Sequence, residues 1–387
     1  MEVKQIYTLV NSATAESIGS SVVVSEDLSN LVDVGTEIFN ANAVDNYVRS
    51  LVNHIGRVIF VDRVYRGTAP SVLMDGWEFG SVLEKITAEM PAATENESYQ
   101  LEDQTSYDPN IFYAPKVSAK FFNKRVTFEI PVSFTEKQVK ESFSNAAQLN
   151  GFISMLYNAV EKSMTVKIDG LIMRTINNMI GETVHDDFGS SSISSTSGVK
   201  AVNLLYLYNN GINAGNTPIT AAAALTTPAF IRFAAYTMGL YKDRLSRLST
   251  LFNVGGKDRF TPDDVLHFIT LSEFQRAADV YLQSDTYNDE FTRLPNAETV
   301  PYWQGSGTGY AFTDTGKVYI TTASGDAVTV TGILGVMFDR DALGVTNLDR
   351  RVTTNYNPKA EFYSNWYKFD AGYFNDLNEN FVVFFAA

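Results

Sequence analysis

The residue types that carry most acid–base and metal chemistry are sparse in this chain: three histidines and no cysteine in 387 residues. Without a thiol there is no disulfide, no thiolate metal site and no cysteine nucleophile. His54, His185 and His267 stand far apart. None belongs to an H-E-x-x-H pair, whose spacing would put two imidazoles on one helix face. His54 and His267 lie among apolar residues, as histidines at the edge of a core do. His185-Asp186-Asp187 has the types of metal ligands but adjoins a Gly/Ser stretch and reads as a solvated turn. Asp339-Arg340-Asp341 directly follows the apolar run ILGVMF, where charged turn residues are ordinary.

Other fragments of chemistry fail on context. Residues 305–309, GSGTG, could form a glycine-rich loop. A phosphate cradle needs such a loop to open a helix, whose first amides and dipole hold the anion. Here strand-like YAFTDTGKVYITT follows, so a surface loop is the better reading. Asn96-Glu97-Ser98 matches a glycosylation acceptor, which matters only in a secreted eukaryotic chain. No G-x-S-x-G elbow is present. RLSRLS at 244–249 reads as a solvated basic face. The sequence therefore assigns no catalytic residue, metal ligand or cofactor. A β-rich carbohydrate-active enzyme with a carboxylate pair stays open as an alternative, because 44 Asp and Glu make such a pair easy to imagine and impossible to locate.

Bulk properties narrow the class. The net charge of −14 argues against binding that works by neutralising phosphates, so no sequence-specific nucleic-acid binding is expected. The 26 Phe and 20 Tyr supply large apolar areas of the kind that cores and protein–protein contacts use. No basic start followed by an apolar run suggests a secretory signal, and no stretch approaches the ~20 apolar residues of a membrane span.

The elements that would position any site follow from periodicity. Residues 1–35 are polar and Ser-rich, and read as an extended N-terminal arm. Ile38, Val44, Val48, Leu51, Val52 and Ile55 recur at mostly three-to-four spacing and predict a helix, with Gly56 as its stop and RVIFVDRVYRG as a following strand. Residues 66–118 form a long excursion that makes sense as a two-stranded hairpin reaching out of the subunit. Residues 112–134 return as strands. Ile153, Leu156, Val160, Met164, Ile168, Leu171, Ile172 and Met179 share one face of a long helix over 146–180, ending near Gly181. GSSSISSTSG at 189–198 reads as a loop and subdomain boundary. Thr227 and Pro228 predict a helix start, DVLHFIT a strand and SEFQRAADVYLQ a helix. Strands are expected over 317–338 and again from about 351, which makes the fold class α+β.

Four segments carry a family resemblance: VDNYVRSLVNHIGRVIF at 44–60, FISMLYNAVEKSM at 152–164, DVLHFITLSEFQRAADVYLQSDTYN at 264–288, and GVMFDRDALGV followed by NPKAEFYSNWYKF within 335–369. In type and order the chain resembles the major capsid proteins of tailed bacteriophages with the Hong Kong 97-type fold, and most of all those of small short-tailed, protein-primed phages. The resemblance implies an N-terminal arm at 1–35, an extended loop at 66–118, and a peripheral domain at 36–65 and 119–204 with a spine helix at 146–180. It further implies an axial domain at 205–338 and a return to the peripheral domain at 339–387. It implies a structural shell subunit, not an enzyme, found in the virion capsid and assembled in the host cytoplasm. Identical subunits would associate as pentamers and hexamers into an icosahedral or prolate shell around double-stranded DNA. The acidic wall would repel that DNA and so not grip it. A scaffolding protein, a portal, and decoration or head-fibre proteins are the expected partners, with no membrane.

On this reading Trp77, Phe79, Tyr99, Tyr107, Phe112, Tyr113, Phe121, Phe122, Arg125, Tyr363, Trp366 and Tyr367 are the candidate assembly contacts, with burial inside the subunit as the competing role for the strand aromatics. Lys85 and Lys116 lie in or near the loop, but no acceptor for a covalent cross-link can be named. An encapsulin-type nanocompartment, which shares the fold and encloses cargo enzymes, and a tail or other virion protein are the rival readings.

Overall fold

Ile6, Leu9, Val10 and Ala13 fall at steps of three, one and three, which places them on one side of a helix. In the computed structural model they form the buried face of helix α1, Val3–Ile18, packed against α3, Val44–Asp62. The structure describes residues 3–19, 24–25, 29–40, 43–62, 69–74, 83–91, 93, 99, 102–108, 110–189, 192–283, 297–304 and 312–387. The chain divides into two compact units, each assembled from three stretches of sequence.

The first unit comprises residues 1–76, 125–174 and 345–372. It holds α1, α2 (Leu31–Asn40), α3, β1 (Leu73–Met74), β4 (Arg125–Thr135), α4 (Glu136–Ser142), and parts of α5 (Ala146–Phe188), β11 (Leu343–Asn357) and β12 (Phe362–Asn375). Its sheet runs β1-β11-β12-β4. β12 and β4 pair antiparallel, with Tyr363 opposite Phe134 and Phe369 opposite Phe128. Thr135 caps α4 in a reciprocal box with Gln138, which satisfies two amides that a helix start leaves open. Leu149, Ile153, Leu156, Val160, Met164, Ile168 and Leu171 form the buried stripe of α5. Gly35 lies where an added Cβ would come within 2.8 Å of the Phe143 ring, so its missing side chain lets α2 approach that aromatic.

The second unit comprises residues 77–124, 175–344 and 373–387. Its hairpin strands β2 (Leu83–Ala88) and β3 (Val117–Phe122) pair antiparallel. Between them and the C-terminal stretch lie β5 (Ala201–Asn203), α6 (Leu204–Asn210), α7 (Ala221–Ala224), α8 (Pro228–Leu245), β6 (Leu266–Leu271), α9 (Ser272–Gln283), β7 (Glu298–Val300), α10 (Phe312–Thr315), β8 (Val318–Thr321), β9 (Ala327–Val330) and β10 (Ile333–Asp339). The last strand, β13 (Phe381–Phe385), lies between β5 and β10 in a sheet ordered β5-β13-β10-β6-β7. Every residue of β10 and β13 is buried, so both read as continuous apolar runs without alternation.

Several expectations need correction. Much of the stretch assigned to an extended arm is helical, because the apolar face of α1 has α3 to cover it. The helix predicted over 38–55 is two helices, and the second continues past Gly56 to Asp62 where a strand was expected. A helical glycine costs only ~1 kcal/mol, which does not end a helix by itself. The long helix likewise passes Gly181 and reaches Phe188. A Cβ on Gly181 would overlap Ile320, so this glycine makes room for β8 and is not a stop. The compact units also depart from the expected domain boundaries. Residues 373–387 join the second unit because β13 pairs with β5 and β10.

Candidate assembly surface

The β2–β3 hairpin is fastened at its foot by charge. Lys85 on β2 donates to Glu379 Oε1 at 2.7 Å and lies 3.1 Å from Asp376 Oδ2. Lys120, directly opposite on β3, donates to Asp376 Oδ1 at 2.9 Å. Arg259 completes the cluster with 2.9 Å to Glu379. Residues 85 and 120 meet because the antiparallel register places them side by side on one face. Asp376 and Glu379 are themselves buried. Burial alone would raise the Asp376 carboxyl, but the hydrogen bond from Lys120 and the charge of Lys85 outweigh it and hold the group below its ordinary value. Burial would lower the Lys85 ammonium, but its bonds and charges with Glu379 and Asp376 outweigh that and raise it. Lys257 adds a further tie to Glu89, just past β2, at 2.8 Å.

Beyond that foot the hairpin and its connection expose apolar side chains. Phe112 and Tyr113 are 86% and 82% exposed, with Ile111 and Phe121 also open to solvent. Tyr99 is fully exposed. Tyr107 is exposed too, with its hydroxyl accepting from the Glu102 amide. Single exposed hydrophobics are ordinary, but a run of adjacent ones marks an interaction surface.

The remaining candidates sit elsewhere. Trp77 and Phe79 lie outside the described residues. Phe122 is half-buried, with its ring 5.2 Å from Phe374. Arg125 is exposed at the start of β4, and Trp366 is half-buried opposite Pro131. Tyr363 and Tyr367 are 2% and 0% exposed, so as contacts with a neighbour they are corrected. They point to the covered side of β12, and Tyr363 packs on Phe134 and Tyr356 within the first unit. The ionic cluster went unforeseen, since its members are scattered from residue 85 to 379 and only the fold unites them.

The fragments with chemical promise have structural partners. Asp187 accepts from the Lys200 and Ala201 amides, and His185 lies 3.2 Å from Asp326. Asp339 accepts from the Thr261 hydroxyl and the Asp341 amide. His54 and Ser50 both bond the same oxygen of Glu16, so the histidine does not stand between a hydroxyl and a carboxylate. Among the described residues no three His, Asp or Glu converge on a metal position, and no helix is long and apolar enough to cross a membrane. The GSGTG loop and Asn96–Ser98 lie outside the described residues.

Comparison with known proteins supplies what the side chains do not. The family model described as Phi29-like phage major capsid protein matches residues 7–385. No curated protein matches the chain. Solved structures with a similar course include the capsid of Staphylococcus phage Andhra, at 9% identity and a TM-score of 0.48 over 84% of this chain and 86% of that one. The capsid of cyanophage P-SCSP1u gives 11% identity and 0.42 over 82% and 86%. The mature capsid of bacteriophage PhiM1 gives 8% and 0.39 over 84% and 88%.

Proposed function

Since the chain belongs to the Phi29-like family of phage major capsid proteins, we propose that it associates as pentamers and hexamers into a closed icosahedral or prolate shell, with a Hong Kong 97-type subunit fold, around double-stranded DNA. The family match over almost the entire chain is the observation that carries this reading. The exposed aromatics along the hairpin support it, because they are surface that a solitary soluble subunit would be expected to cover. The net charge of −14 suits a wall that encloses DNA without adhering to it. Assembly takes place in the host cytoplasm with a scaffolding protein and a portal, and decoration or head-fibre proteins attach to the finished shell. The protein's role in this scheme is to build a container and not to turn over a substrate.

A shell needs several moderate contacts per subunit. Specific interfaces of standard size bury about 1,600 Å² in total, so many such contacts hold a closed particle without any single strong bond. The test is negative-stain electron microscopy with size-exclusion chromatography, on the chain expressed alone and with its neighbouring genes. Closed shells tens of nanometres across are expected. A persistent monomer in both preparations would overturn the reading, tubes or rings would indicate a tail component, and shells filled with protein cargo would indicate a nanocompartment.

A further inference from the structure

The second compact unit carries a projection and a recess that its own fold leaves uncovered. The projection is Ile111-Phe112-Tyr113, whose side chains are 55%, 86% and 82% exposed. The recess is a cavity of about 580 Å³ between the hairpin foot, residues 87–91 and 118, and the segment 248–260. Its volume is in the ~300–1,000 Å³ range that encloses a small guest. Met90, Leu248 and Phe260 line it, and all three are exposed. Its charged lining is engaged internally, with Lys257 on Glu89 at 2.8 Å and Arg259 on Glu379 at 2.9 Å. The apolar side chains are therefore the part of the recess that gains most from a guest. A backbone bridge between Ser249 and Arg259 fixes the segment that forms one wall.

The charges around the two features are complementary. Residues 102–113 hold Glu102, Asp103 and Asp108 and no basic residue. Residues 242–260 hold Lys242, Arg244, Arg247, Lys257 and Arg259 against only Asp243 and Asp258. Opposite potentials of this kind steer and orient a contact more than they tighten it.

Resting on the reading that this chain assembles with itself, we propose that Ile111–Tyr113 of one copy seats in the Met90–Leu248–Phe260 recess of a second copy. A projection and a recess at different places on identical chains make a heterologous, head-to-tail contact, and such contacts close into rings when the rotation between copies allows it. Each inserted aromatic removes roughly 150–250 Å² from water. The acidic stretch before the projection then faces the basic segment that borders the recess.

The absence of cysteine gives a clean background for the test. Two single variants, Phe112→Cys and Phe260→Cys, are mixed before assembly and the particles are treated with copper phenanthroline as oxidant. The expected result is a disulfide-linked dimer on a non-reducing gel from mixed particles, and none from particles of either variant alone. Because each chain carries one thiol, the band reports only contact between copies. Closed mixed particles that yield no dimer, with this pair and with Tyr113→Cys and Leu248→Cys, would overturn the proposal. A density map of wild-type particles answers the same question without substitution: Phe112 against a neighbour's Phe260 supports the contact, and the aromatic segment seated elsewhere sinks it. Failure of the wild-type chain to form any closed particle is a different result, and counts against the shell itself.

Discussion

Lys85 Nζ donates to Glu379 Oε1 at 2.7 Å, joining residues 294 positions apart in the sequence. The Lys85 side chain is 19% exposed and that of Glu379 8%, so water screens the pair only weakly. Replacing Lys85 by Met keeps most of the aliphatic stem and deletes the charge. Arg259 still serves Glu379 and Lys120 still serves Asp376, so the loss is that of one charge-assisted hydrogen bond, about 1.5–3 kcal/mol. Denaturant unfolding of the Lys85→Met chain checks this. An unchanged midpoint would mean that the cluster contributes nothing to holding the hairpin.

The same cluster predicts a pH dependence with a definite sign. Asp376 is held below its ordinary 3.8, so its contribution is complete above that value and is lost as pH falls through the depressed one. Lys85 is raised above 10.5, so its contribution is complete below that and is lost only in strong base. The stability difference between the wild type and Asp376→Asn should therefore stay constant across neutral pH and shrink in acid below about 4. Equal differences at pH 3 and pH 7 would contradict the assignment.

Two glycines should respond unequally to the same change. Gly332 has φ of +71°, and a methyl there would overlap the backbone carbonyl of Ala386. Gly332→Ala must strain the turn and push apart the Ala386–Gly332 backbone bond of 2.8 Å, at a cost on the order of 3 kcal/mol. A methyl at Gly181 meets only the end of the Ile320 side chain, which can rotate aside. Any repacking cost there is offset in part by alanine's better helix propensity, ~1 kcal/mol. Thermal melts of both variants should rank Gly332→Ala well below Gly181→Ala.

In the first unit, Phe134 on β4 is 3% exposed and meets Phe152 of α5 edge-on, with ring centroids 5.2 Å apart. Truncation to Ala leaves a cavity between sheet and helix and should cost roughly 3–5 kcal/mol. Phe134→Leu should retain more than half of the stability lost in the alanine variant. Paired chemical denaturation curves measure both.

What was legible in the sequence was local. The three-to-four spacing from Ile153 to Ile172 announced α5, and Thr227-Pro228 marked the start of α8. The hairpin strands were readable from the alternation of apolar residues with Lys. What stayed hidden depended on partners remote in sequence. The helical character of 3–18 rests on a face that α3 covers, and a Ser- and Thr-rich composition masked it. Gly56 and Gly181 looked like stops because a glycine's backbone freedom is visible in sequence, whereas the close neighbour that requires it is not. Tyr363 and Tyr367 belong to the same aromatic run as Trp366, and only the pairing of β12 with β4 shows which side of the strand is covered. Asp376 and Glu379 looked like ordinary turn residues between two apolar strands until the hairpin lysines were placed beside them.

The position of β13 has a consequence for the order of events in the cell. Val383 pairs with Ala201 on one side and with Val336 on the other, so the middle of this sheet is supplied by residues synthesised long after its parallel neighbour β5. Until the ribosome has delivered residue 385, β5 and β10 lack the strand that lies between them, and their apolar edges stay open. Such non-local pairing is slow to form. A nascent subunit is thereby kept from completing this unit early, and a polysome carrying many half-made copies does not become a site of premature association.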